Sequence, residues 1–94
     1  MEMLLIIVES SVREELEVFL TREGVRGYSE IPEVHGVGSS GPRMGSAAYP
    51  GTSSMIFAMV EPSLISTLSA RLKDYCSQCH ERIHLAHWPV NVMN

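Results

Sequence analysis

Residues Met3 to Val8 form an unbroken apolar run. It is too short for a helix and ends in β-branched residues, which is the pattern of a buried strand. Ser11-Val12-Arg13-Glu14 matches a capping box, in which the Ser11 hydroxyl accepts from the Glu14 amide while the Glu14 side chain reaches back. Val12, Leu16, Phe19 and Leu20 then recur at helical spacing, so one face of the helix is apolar. Gly24 falls where a left-handed C-terminal cap is expected. From Val25 to about Val37 apolar and polar residues interleave, predicting a second strand that is irregular around Pro32.

The composition then changes. Residues 36–52 are dominated by glycine, serine and proline and hold nothing that supports a periodic element. Residues 38–52 therefore read as a flexible loop that orders against a partner. Ser54 to Val60 is a third strand. Pro62 stands in the first turn of a second helix, where its missing amide does no harm, and Leu64, Ile65, Leu68 and Leu72 carry that helix to about Tyr75. Ile83 to Val90 is the last strand, with Pro89 marking an edge or an end. The order β-α-β-loop-β-α-β predicts an α+β fold, the ferredoxin-like βαββαβ arrangement: a four-stranded antiparallel sheet with two helices on one face. Residues 1–94 make one domain with no interdomain linker.

In such a fold the helix-free face ordinarily meets water, and the strands alternate apolar with polar. Here they do not. Met3, Leu5 and Ile7 point one way and Leu4, Ile6 and Val8 the other. Met55, Phe57 and Met59 likewise oppose Ile56, Ala58 and Val60. Leaving six such side chains wet, at about 1.5–3 kcal/mol each, forfeits on the order of 10 kcal/mol, comparable to the whole stability of a small domain. Self-association is the expected remedy. Shielding of this face by loops of the same chain is the alternative.

Composition agrees with a covered surface: of 94 residues 45% are hydrophobic and only 19% charged. The net charge of −4, with Lys and Arg scattered, argues against a basic nucleic-acid-binding face. No apolar run approaches membrane-span length, so no direct membrane insertion is expected. Residues 1–4 lack the features of a secretory signal. A cytoplasmic location is the expectation, and with it no structural disulfide.

Gly24-Val25-Arg26-Gly27-Tyr28, followed by Glu33-Val34-His35-Gly36-Val37-Gly38, resembles the second-strand pattern of the PII nitrogen-regulatory proteins. The likeness is closest over residues 3–38 and extends through element order to the C-terminus. It implies a compact homotrimer with a projecting loop. Nucleotide or another small anion would bind between subunits, and the loop, 38–52 here, would engage a membrane transporter or an enzyme. Carried over, Gly36, Val37 and Gly38 line the base of the small-molecule cleft, where bare backbone amides suit an anion.

Two departures alter the expectation. Ser39-Ser40 stands where the family has Arg-Gln. Residues 76–82 replace a Gly-Asp-Gly-Lys phosphate turn, leaving Arg82 as the nearest substitute for its lysine. Hydrogen bonds to charged groups are worth about 1.5–3 kcal/mol each, so losing two weakens ATP binding by roughly two to four orders of magnitude. The chain thus resembles divergent PII-like proteins or the related CutA-type metal-tolerance trimers.

Within the loop, Arg43 is the only charge and Tyr49 the only aromatic residue, which makes them its contact candidates. No Gly-Lys-Ser/Thr follows the glycines, excluding a Walker phosphate loop. Cys76-x-x-Cys79-His80 formally matches a haem-attachment motif. A redox dithiol, a metal site and a purely structural pair of thiols capping the helix end, with ordinary surface histidines, remain alternatives. Cys76, Cys79, His80 and His84, with His35 and His87 elsewhere, are the ligand types zinc or copper prefers. His84 and His87 are an odd number apart, so a regular strand sends them to opposite faces. No nucleophile–base pair or carboxylate dyad stands out, and the only aspartate is Asp74. The reading is a non-enzymatic protein: a ligand-sensing regulatory trimer or, alternatively, a trimeric metal-binding protein.

Overall fold

The computed structural model describes residues 1–38, 41–75 and 82–94. The elements run β1 (Glu2–Glu9), a short 3-10 turn (Ser10–Val12), α1 (Arg13–Arg22), β2 (Ser29–Val34), β3 (Gly36–Gly38), β4 (Gly41–Arg43), β5 (Ser53–Val60), α2 (Pro62–Tyr75) and β6 (Ile83–Pro89). The main sheet has the antiparallel order β2-β5-β1-β6, and β3 and β4 pair separately. This is the ferredoxin-like βαββαβ topology, with both helices packed on one face of a four-stranded sheet.

The expected division of side chains holds along both central strands. Leu4, Ile6 and Val8 pair in register with Ala58, Ile56 and Ser54. With Val60 they form the sheet side of the core, closed from the helices by Leu16, Phe19, Leu20, Leu68 and Leu72. Two tilted rings, Phe19 and Tyr75, lie 4.9 Å apart between the helices, and Arg71 on α2 pairs with Glu23 at the end of α1 at 3.1 Å. On the opposite face Met3, Leu5 and Ile7 sit beside Met59, Phe57 and Met55. Register adds Ile31 from β2 and Trp88 from β6. Met59, Ile31 and Trp88 are exposed, so this part of the face is left uncovered by the described residues.

Three details differ from the sequence expectation. Ser11 does not cap α1: a 3-10 turn precedes the helix, buried Val12 takes the N-cap position, and the Ser11 hydroxyl instead donates to the Glu9 carboxylate at 3.0 Å. Burying Val12 in the core turns Ser11 outward, away from the helical amides. The second strand begins at Ser29 rather than at residue 25. Gly24 has φ 97°, the Val25 amide bonds back to the Leu20 carbonyl at 3.0 Å, and Val25 is thereby spent on the core. The strand also ends at Val34, after a register shift between Ile31 and Val34 where Glu33 adopts φ 56°. Finally, residues 36–52 are not without regular structure. Gly36↔Arg43, Val37↔Pro42 and Gly38↔Gly41 pair as a small hairpin. Extended glycines pair readily when the return strand lies close in sequence.

Between α1 and β2, Arg13 donates to Glu30 at 2.8 Å, which raises the guanidinium's pKa. Glu17 shares this site. Burial, followed by its hydrogen bond to Glu30, pushes its carboxyl up to about 7, while the hydrogen bond from Glu17, with that from Arg13, lowers Glu30. The raised Glu17 favours the fold while protonated, and that contribution is lost as pH climbs from about 4.5 to about 7. The lowered Glu30 acts oppositely, losing its contribution only below the ordinary carboxylate range. Urea unfolding should therefore show stability falling across the upper window, and Glu17→Gln should flatten that fall. An unchanged pH slope in the variant would disprove the assignment.

Candidate functional site

The helix-free face ends, beside the β3–β4 hairpin, in a cavity of about 250 Å³ lined by Ile7, Val34, His35, Gly36, Val37, Gly38, Arg43, Ser53, Met55 and His84. Its position follows from the strands. Ile7, Met55 and His84 stand side by side in register across β1, β5 and β6, forming an apolar floor with one imidazole. The hairpin follows β2, whose register breaks between Ile31 and Val34, and supplies the glycine wall. Arg43, the last residue of β4, returns over the floor and donates to the Ser53 hydroxyl at 3.2 Å.

Of the sequence-derived ligand residues, Gly36, Val37, Gly38 and Arg43 thus line one cavity. Arg82 is outside the lining but joins it through a carboxylate. Glu9 Oε2 lies 3.6 Å from Arg43 Nη2 and 3.7 Å from Arg82 Nε. The Glu9 amide also bonds to the Arg82 carbonyl at 2.9 Å. The side chain of Arg43 is only 17% exposed and that of Arg82 54%, so Arg43 is the better-held cation of the two.

The rest of the loop packs against this site. The Gly45 amide bonds to the Gly51 carbonyl at 3.1 Å, and the Tyr49 carbonyl accepts from both Met44 and Ser46. Gly45 has φ +61°, and a Cβ there would lie 3.0 Å from His35 Nε2. Glycine is required both for the conformation and for the approach of the loop to the cavity wall. At the root, Ser10 and Thr52 share a hydroxyl hydrogen bond of 2.8 Å. Tyr49 is half exposed, with its backbone rather than its ring engaged.

Of the metal candidates, Cys76, Cys79 and His80 lie outside the described residues. His84 faces the cavity, whereas His87 is on the helix side of β6, bound to Glu2 at 2.8 Å, as their odd spacing requires. Among the described residues, no three His, Cys, Asp or Glu side chains converge as metal ligands, and no helix is long and apolar enough to cross a membrane.

Sequence reasoning missed Glu9 and Ser53 as members of this site; His35, read only as a candidate metal ligand, lines the cavity with His84. Glu9 gave one signal, a lone charge closing an apolar strand. Its arginine partners are distant in sequence, and only the fold brings them to it.

No protein-family model matches the sequence, and no curated protein matches it. Solved structures do. CPII, a nitrogen regulatory PII-like protein from Thiomonas intermedia K12 bound to ADP, AMP and bicarbonate, aligns with a TM-score of 0.72 at 24% identity, over 95% of this chain and 86% of that one. The same protein bound to ADP and bicarbonate aligns with a TM-score of 0.72 at 25% identity, again over 95% and 86%. A protein from Thermus thermophilus described as PII-like and signalling aligns at 17% identity with a TM-score of 0.65, over 93% of this chain and 82% of that one. The chain strongly resembles the PII-like nitrogen-regulatory proteins, through nearly its whole length.

Proposed function

We propose that this chain is a non-catalytic PII-like signalling subunit of the cytoplasm. It forms a homotrimer through the helix-free sheet face and binds a small anionic or nucleotide-like effector at the subunit clefts. Through loop 38–52 it engages a partner, a membrane transporter or an enzyme. The observation that carries this reading is the convergence of the Gly36–Gly38 backbone and Arg43 on one cavity at the root of that loop. Glycine lets an anion approach the backbone, and a half-buried guanidinium supplies the charge. The relatives described as bound to ADP and bicarbonate share the fold that builds this place. Loop and cavity share Arg43, so an occupant of the cavity acts directly on the segment offered to a partner.

Calorimetric titration with ADP, ATP and bicarbonate tests the effector. Arg43→Ala should weaken binding of the accepted compound about ten- to a hundredfold, as expected for losing a charged hydrogen-bond donor. Silence towards all three compounds, or indifference to Arg43→Ala, would contradict the site.

A further inference from the structure

Glu9 occupies a position that neither its strand nor the core demands. It is the last residue of β1, opposite Ser53 in register, and its side chain remains 31% exposed. Its Oε1 accepts from the Ser11 hydroxyl at 3.0 Å. Its Oε2 lies between two guanidinium groups, Arg43 at 3.6 Å and Arg82 at 3.7 Å. Charge-assisted hydrogen bonds ordinarily close to about 2.7–2.9 Å, so these are loose Coulombic pairs in a partly wet setting. Such pairs hold weakly and exchange easily.

We infer that the Glu9 carboxylate is an internal stand-in for the effector's oxyanion: it offsets part of the positive charge of Arg43 and Arg82 and is displaced when an anion arrives. This rests on the effector reading above. An oxygen of a phosphate or a bicarbonate is the same kind of anionic acceptor as Oε2, so it takes that atom's place between the two guanidinium groups. The exchange also has a structural consequence. Glu9 ties the end of β1 to the last residue of β4 and to the residue just before β6, and its release loosens the root of the loop when the site fills. Affinity is thereby held down by a competitor that is always present, and Glu9 sets the effector concentration at which the site responds.

The test is titration of the full chain, as wild type, Glu9→Gln and Arg43→Ala, with ADP in one arm and bicarbonate in the other. Glu9→Gln keeps the shape and removes the competing charge. It should tighten binding about three- to tenfold, the scale of the exposed ion pairs it releases. Tightening for ADP assigns the position to a phosphate, and tightening for bicarbonate assigns it to a carboxylate-like anion. Binding by the wild type that is lost in Arg43→Ala but unchanged or weakened in Glu9→Gln overturns the inference and leaves the effector site standing. Absence of binding in every protein, or binding indifferent to Arg43→Ala, removes the site and the inference with it. Glu9→Ser replaces the glutamine variant, with the same expected direction, if circular dichroism shows the latter unfolded.

Discussion

Met59→Glu is expected to convert the proposed trimer into folded monomers. Met59 stands on the helix-free face, opposite Met3 in register, and is 53% exposed in the single chain. A glutamate there meets water in a monomer and should change its stability by no more than about 0.5 kcal/mol. In an assembly built on this face the same carboxylate is buried without a partner, at a cost of about 3–5 kcal/mol for each copy. The substitution thus separates assembly from folding. Sedimentation velocity should show the species shrink while circular dichroism stays unchanged. A variant that remains fully assembled would mean that the subunits meet elsewhere.

The other large effect lies on the opposite side of the same sheet. Ile6 is completely buried, set between Ile56 on β5 and Leu85 on β6, beneath the helices. Ile6→Ala removes three carbons from the centre of the core and should cost about 2–5 kcal/mol. A domain of this size holds about 5–15 kcal/mol in total, so at the middle of both ranges the urea midpoint should fall by about a third. Denaturation by urea measures it directly. A loss below about 1 kcal/mol would show that the core can collapse around the gap.

These two residues also show what the chain's own pattern reveals. An apolar run too short for a helix, with no polar residue on either parity, shows that both faces of the sheet need cover. The two-residue period separates Ile6 from Leu5 and Met59 from Ala58, but only the fold decides which parity meets the helices, burying Ile6 and leaving Met59 exposed. The first turn of α1 was less legible. The capping box depends on which residue is drawn into the core, and the burial of Val12 turned Ser11 towards Glu9. The β3–β4 hairpin escaped notice because Gly36, Gly38 and Gly41 signal turn and extended chain alike, and only pairing decides. The site was legible in half. The glycines and Arg43 stand close together in the sequence, whereas Glu9 gains its meaning from Arg43 and Arg82, which the fold brings to it from opposite directions.

The central claim is a trimer that carries an effector, and native mass spectrometry of the purified protein with and without ADP tests it most directly. The account predicts an assembly of three chains, about 31 kDa from a subunit of 10.4 kDa, gaining the mass of bound nucleotide as ADP is added. A bare 10.4 kDa monomer at micromolar concentration, unchanged by ADP, would contradict it.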